Sequence, residues 1–175
     1  MSGESFNSVQ SSYNNLILFR QFDSFVNMIV VDCGNKFAYF TYDMLPKNIN
    51  PEKLQEIAFD NLFESIKYQF CESKEKGIYG VLAGWNFEAE SICIPSIWED
   101  LSKKLDDDII ISIPTKDIVC FTKLNDKKLC KKMLSLSSKI FEQNRKKTPE
   151  LVFCKDIFIY SRNSKDITIS EKNSL

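Results

Sequence analysis

The chain has 175 residues, 43% of them hydrophobic and 13% aromatic with 14 Phe, which is material for one core of ordinary domain size. That excludes an intrinsically disordered chain, and five Gly and five Pro exclude a collagen-like or low-complexity one. Against 23 basic residues stand 24 acidic ones, so a net charge of −1 nominates neither a nucleic acid nor a membrane as partner, and the lack of any His removes the commonest general base and metal ligand.

Residues 1–13 are rich in Ser and Asn and read as a disordered N-terminus, 14–170 as a single α+β domain, and 171–175 as a disordered tail. Leu16–Phe22 and Phe25–Cys33 are β-branched and aromatic, as strands are. Cys33-Gly34-Asn35-Lys36 reads as a hairpin turn, because Gly and Asn tolerate positive φ. Beyond it, Phe37–Tyr42 reads as a strand too aromatic to stand fully exposed. Asn50 and Pro51 suit the cap and first position of a helix whose apolar residues recur at helical spacing to Phe70. Phe59, Phe63 and Phe70 widen its stripe, which predicts packing on both flanks.

Ile78–Gly84 and Ala89–Ile94 then read as strands. Pro95 opens a short helix to Leu105 with Ile97, Trp98, Leu101 and Leu105 on one face, and Asp106-Asp107-Asp108 stops it. Ile109–Pro114 and Asp117–Thr122 form a second hairpin. Asn125 caps a third helix to about Asn144, with a buried stripe of Leu129, Met133, Leu136 and Ile140. Glu150–Cys154, Ile157–Ser161 and Ile167–Ser170 are strand-like, and Ile157–Ser161 is a candidate exposed edge. Hairpins alternating with helices predict an α+β fold: a mostly antiparallel sheet with two long helices and one short helix packed on it.

Charge is segregated along the chain. Residues 43–108 hold 14 acids and 7 bases, whereas residues 123–155 hold 10 bases and 3 acids. A charged face of this kind steers partners of opposite sign, and Lys127, Lys128, Lys131 and Lys132 equally suit a plain solvated helix face. The six Cys contain no CxxC pair and several lie in apolar runs, so they read as free thiols, with no metal site and no cofactor. No secretory signal or bilayer-length apolar run is present, which with reduced Cys predicts a cytoplasmic protein without a membrane partner.

Three stretches together carry a resemblance. Tyr39–Leu45 leads into Asn50–Leu62, Asn86–Ile94 follows, and Asp108–Phe121 closes the set. Over roughly residues 25–160 their order resembles the YtpQ-type family of uncharacterised bacterial proteins, a domain of unknown function. Phe87 replaces that family's usual tyrosine and Glu90 intrudes in its Ala-Ser pair. The resemblance implies a fold, with no activity, cofactor or catalytic residue attached.

No catalytic constellation is legible. Asp106, Asp107 and Asp108 lack the spacing of a calcium loop. Glu88 and Glu90, two apart, share a face if they lie on a strand, with Lys116 as partner for an inward charge, or else form a carboxylate rim. Lys116 and Asp117 at the hairpin turn suit a polar ligand or a protein partner, and Trp85 suits an exposed anchor. The basic helix lacks the interleaved aromatics of a single-strand platform, which argues against nucleic acid. The leading expectation is therefore a non-catalytic protein-binding domain acting by electrostatic steering, in its most specific form a toxin-neutralising immunity protein. The alternatives are a small enzyme or ligand-binding protein with a pocket near Trp85, Glu88, Lys116 and Asp117, and a homo-oligomeric scaffold. The binding candidates are Trp85, Glu88, Glu90, Asp107, Lys116, Asp117, Lys127, Lys128, Lys131 and Lys132.

Overall fold

A computed structural model describes residues 15–22, 25–34, 36–84 and 87–170. The chain divides into two compact units, Met1–Asn61 and Leu62–Leu175.

In the first unit the strand β1 (Leu18–Gln21) pairs antiparallel with β2 (Phe25–Met28), and β3 (Val30–Asp32) with β4 (Phe37–Tyr39). The second pair closes where expected, since Cys33 N–H donates to the Lys36 carbonyl at 2.9 Å and Gly34 takes a φ of +86°. One expectation fails here. Phe37 and Tyr39 are 60% and 55% exposed, because a two-stranded ribbon buries a face only if another layer covers it. The helix α1 (Pro51–Ser65) starts as read, with Asn50 Oδ1 accepting the Lys53 N–H at 2.8 Å. It contains no fully buried residue: Leu54, Ile57, Ala58, Phe59 and Leu62 are half-buried, while Phe63, expected to widen the packed stripe, is exposed.

The second unit is an α+β layer. Six strands form one sheet in the order β10-β9-β7-β8-β6-β5, every neighbouring pair antiparallel: β5 (Gln69–Glu72), β6 (Tyr79–Leu82), β7 (Ile109–Thr115), β8 (Ile118–Lys123), β9 (Ile157–Ser161) and β10 (Asp166–Ile169). All seven residues of β7 are buried, as a central strand covered on both faces requires. One face meets the helix α3 (Lys127–Lys147), with Ile78, Ile110, Cys120, Cys130 and Met133 forming a buried cluster. The other face presents Ile109, Ile111, Phe121, Phe158 and Tyr160. The helix α2 (Pro95–Leu105) sets Ile97, Trp98 and Leu101 into it. Trp98 is fully buried, edge-on to Phe121 with ring centroids 5.6 Å apart, and its Nε1–H donates to the Ser91 carbonyl at 2.7 Å.

Six local expectations are corrected. The first helix ends at Ser65, five residues early, because Phe70 belongs to β5, where its ring packs edge-on to Phe121 at 6.2 Å. Residues 89–93 form a 3-10 turn, not a strand, and Glu150–Cys154 contains a 3-10 turn (Pro149–Leu151) and a single bridge from Val152 to Thr115. Of the predicted stripe of α3, Met133 is buried and Leu129 and Ile140 are half-buried, but Leu136 is 36% exposed, and Cys130 and Ser137 are buried in addition. Its cap is Asp126, whose side chain accepts the Leu129 N–H at 3.0 Å, not Asn125. Finally, Ile157–Ser161 is no edge: β9 lies between β10 and β7.

Candidate functional site

The candidates fall at the two ends of the β7–β8 hairpin. At the turn end, Lys116 and Asp117 are both exposed and form the two-residue connection. The Lys116 backbone is clamped, its N–H donating to the Leu151 carbonyl at 2.8 Å and its carbonyl accepting the Ala89 N–H at 3.1 Å. The side chains are thereby held outward on a rigid turn.

Glu88 corrects both of its sequence readings. It precedes a 3-10 turn, is buried, and its carboxylate accepts the Ala83 N–H at 2.9 Å and the Phe87 N–H at 3.2 Å. Backbone donors, and not Lys116, satisfy this inward carboxylate, and it fastens the chain on either side of residues 85–86. Trp85 itself lies outside the described residues. Glu90 is exposed and does not share a face with Glu88, because the 3-10 turn rotates successive side chains by about a third of a circle. Loss of hydration by neighbouring protein atoms raises its pKa, the nearby Glu88 adds to the rise, and its own backbone N–H and Lys116 oppose it.

The sequence reading passes over Tyr68, since it runs a helix through this position to Phe70. Its hydroxyl is buried and finds no hydrogen-bond partner among the described residues. Burial pushes its pKa far up, with Glu90, Cys93 and Glu88 adding to the shift. A neutral phenol beside Glu90 and Glu88 can donate one hydrogen bond.

At the opposite end Asp107 is buried, and its Oδ2 accepts the Asn125 N–H at 3.4 Å, which ties the α2–β7 loop to the start of α3. Asp106, the left-handed cap of α2 with a φ of +54°, pairs with Arg162 at 2.8 Å, while Asp108 accepts the Arg162 N–H at 2.9 Å. The three aspartates therefore serve a loop junction. Among the described residues no group of three or more His, Cys, Asp or Glu side chains is arranged to hold a metal ion.

Lys127, Lys128, Lys131 and Lys132 are all exposed on α3. Lys132 is paired with Glu75, so one base of the basic segment already meets an acid of the acidic one. Among the described residues no ion pair engages Lys127, Lys128 or Lys131. Along α3 only Glu142 is acidic, and it is taken by Arg145 and Lys155. The six Cys are free thiols, and burial pushes Cys120 up to about 11 and Cys154 up to about 12, which keeps both unreactive near neutral pH. Among the described residues no helix is long and apolar enough to cross a membrane. No family model, curated protein or solved structure matches the chain, so the arrangement of its own residues carries any functional reading.

Proposed function

We propose that the protein is a non-catalytic protein-binding domain whose α3 face docks on an acidic surface of another protein, in its most specific form the toxin that it neutralises. A distant kinship with the YtpQ-type family belongs to the same proposal and lends it no activity. The observation that carries the reading is the row Lys127, Lys128 and Lys131: exposed, held on a helix seated by Cys130, Met133 and Ser137, and engaged by no ion pair among the described residues. Lys127 and Lys128 occupy the first turn of α3, which has no acidic residue. The positive end of the helix dipole disfavours cations there, at a cost on the order of 0.3–1 kcal/mol each. An anionic partner face reverses that sign.

The test uses fluorescence anisotropy of a labelled poly-glutamate peptide as the acidic probe, across a salt series, with wild type and the triple variant Lys127→Glu, Lys128→Glu, Lys131→Glu. Binding that weakens with salt and drops at least tenfold in the triple variant supports the reading. Salt-independent binding, or binding untouched by the charge reversal, refutes it. A tighter complex with a DNA duplex of matched charge moves the assignment to nucleic acid.

A further inference from the structure

The six-stranded sheet has two edges, β5 and β10, and they are not equivalent. Hydrogen-bond direction alternates along an antiparallel strand, so one bond sets the parity of its neighbours. The Ser73 N–H donates to the Ile78 carbonyl at 2.8 Å, so Gln69 and Cys71 turn their backbone groups toward β6, and Phe70 and Glu72 turn theirs outward. At the far edge the Ser170 N–H donates to the Ile157 carbonyl at 2.7 Å, which turns Ile167 and Ile169 outward. The outward N–H of Ile167 is already taken by Asp166 Oδ1 at 2.8 Å. That edge is blocked by a charged side chain, a common way of preventing strand addition. Among the described residues the β5 edge shows no such guard: all four of its residues are exposed, Phe70 by 38%.

We infer that β5 is the site at which two copies of this chain pair, edge to edge across a two-fold axis passing by Cys71. Outward-facing residues must meet outward-facing residues, which leaves three symmetric registers. Glu72 opposite Glu72 sets like charges face to face, which is destabilising. Phe70 opposite Phe70 leaves Glu72 facing Tyr68, outside the strand. Phe70 opposite Glu72 uses every outward group of both strands and opposes no like charges. In that register Cys71 faces Cys71 in a non-hydrogen-bonded pair. Such pairs hold their Cα atoms about 4.5 Å apart, within the span that a disulfide bridges. A four-residue strand covers far less than the ~800 Å² per partner of a standard interface, so the dimer is weak and concentration-dependent. This pairing is independent of the α3 reading.

The experiment traps it. Diamide takes two electrons and two protons from a thiol pair and becomes the hydrazine as the disulfide forms. Added to the full chain at rising protein concentration, it is expected to give a covalent dimer joined through Cys71, at least tenfold faster than one joined through Cys33, which is also exposed. The double variant Cys71→Ser, Glu72→Cys faces Phe70 in the pair and is expected to cross-link at least tenfold more slowly than wild type. Without oxidant, the Phe70 and Glu72 amides gain exchange protection as concentration rises, and Cys71→Lys, which opposes two cations at the axis, removes it. Cross-linking through Cys71 no faster than through Cys33, position 72 as reactive as position 71, or amides indifferent to concentration each overturn the pairing.

Discussion

The two units contrast in how the same kinds of residue are used. In the second unit strands rich in Ile, Val and Phe lie between helices, and Ile109, Ile110, Ile111, Ile113 and Phe158 are wholly buried. In the first, strands of similar composition leave Val26, Met28, Val30, Val31, Phe37 and Tyr39 exposed. Composition selects extended backbone in both. Burial follows only where a second layer covers the strand, since a hairpin by itself is marginally stable in water.

The largest expected effect that tests this contrast is Trp98→Ala. It removes a fully buried indole and its hydrogen bond to Ser91, and chemical denaturation should show a loss of about 3–5 kcal/mol. A loss comparable to a surface substitution would mean that α2 is not what closes that face. Next comes Glu88→Ala, which strips the Ala83 and Phe87 N–H groups of their acceptor and is expected to cost about 1–3 kcal/mol by the same measurement. Thr115→Val acts in the opposite direction. Thr115 is fully buried and its Oγ1 has no partner among the described residues, so a shape-preserving apolar replacement should raise stability by about 1 kcal/mol. Lower stability in that variant would reveal a partner for the hydroxyl.

Glu142→Gln gives a smaller, pH-dependent change. Lys155, with Arg145, holds the Glu142 carboxyl below its ordinary range, so its contribution is present above the unfolded carboxylate pKa and lost as pH falls through the folded one. Melting curves of the variant and wild type should differ slightly at neutral pH and coincide in acid. The smallest effect belongs to the first unit: Phe37→Ser should stay within about 0.5 kcal/mol of wild type, because its ring is already in water. A large loss there would show that another surface covers β4.

Much of the second unit was legible from local signals. Pro95 opening α2, Trp98 in register with Leu101, a hairpin turning near Lys116 and the apolar run of β7 all depend on neighbours a few residues away. The misread elements share one physical cause. Phe70 continues a helical spacing, yet ends in β5 because Phe121, 51 positions later, offers it an aromatic edge. Ser137 looks polar, yet faces the sheet because Ser112 shares a hydrogen bond with it at 2.5 Å. Of the candidate site, the exposed lysines of α3 and the turn pair were readable as surface. The roles of Glu88 and Asp107 were not, because backbone N–H groups supplied by folding satisfy them.

Residue order alone was sufficient for the α+β class, the Asn50 cap of α1 and the turn between Cys33 and Lys36, since each follows from backbone preference or from spacing along the chain. Only the tertiary structure decided which strands became edges, which acids went inside, and which apolar side chains stayed wet. Those outcomes depend on which distant segment arrives to cover a given face, and the energy of covering it outweighs the few tenths of a kcal/mol, roughly, that separate local preferences.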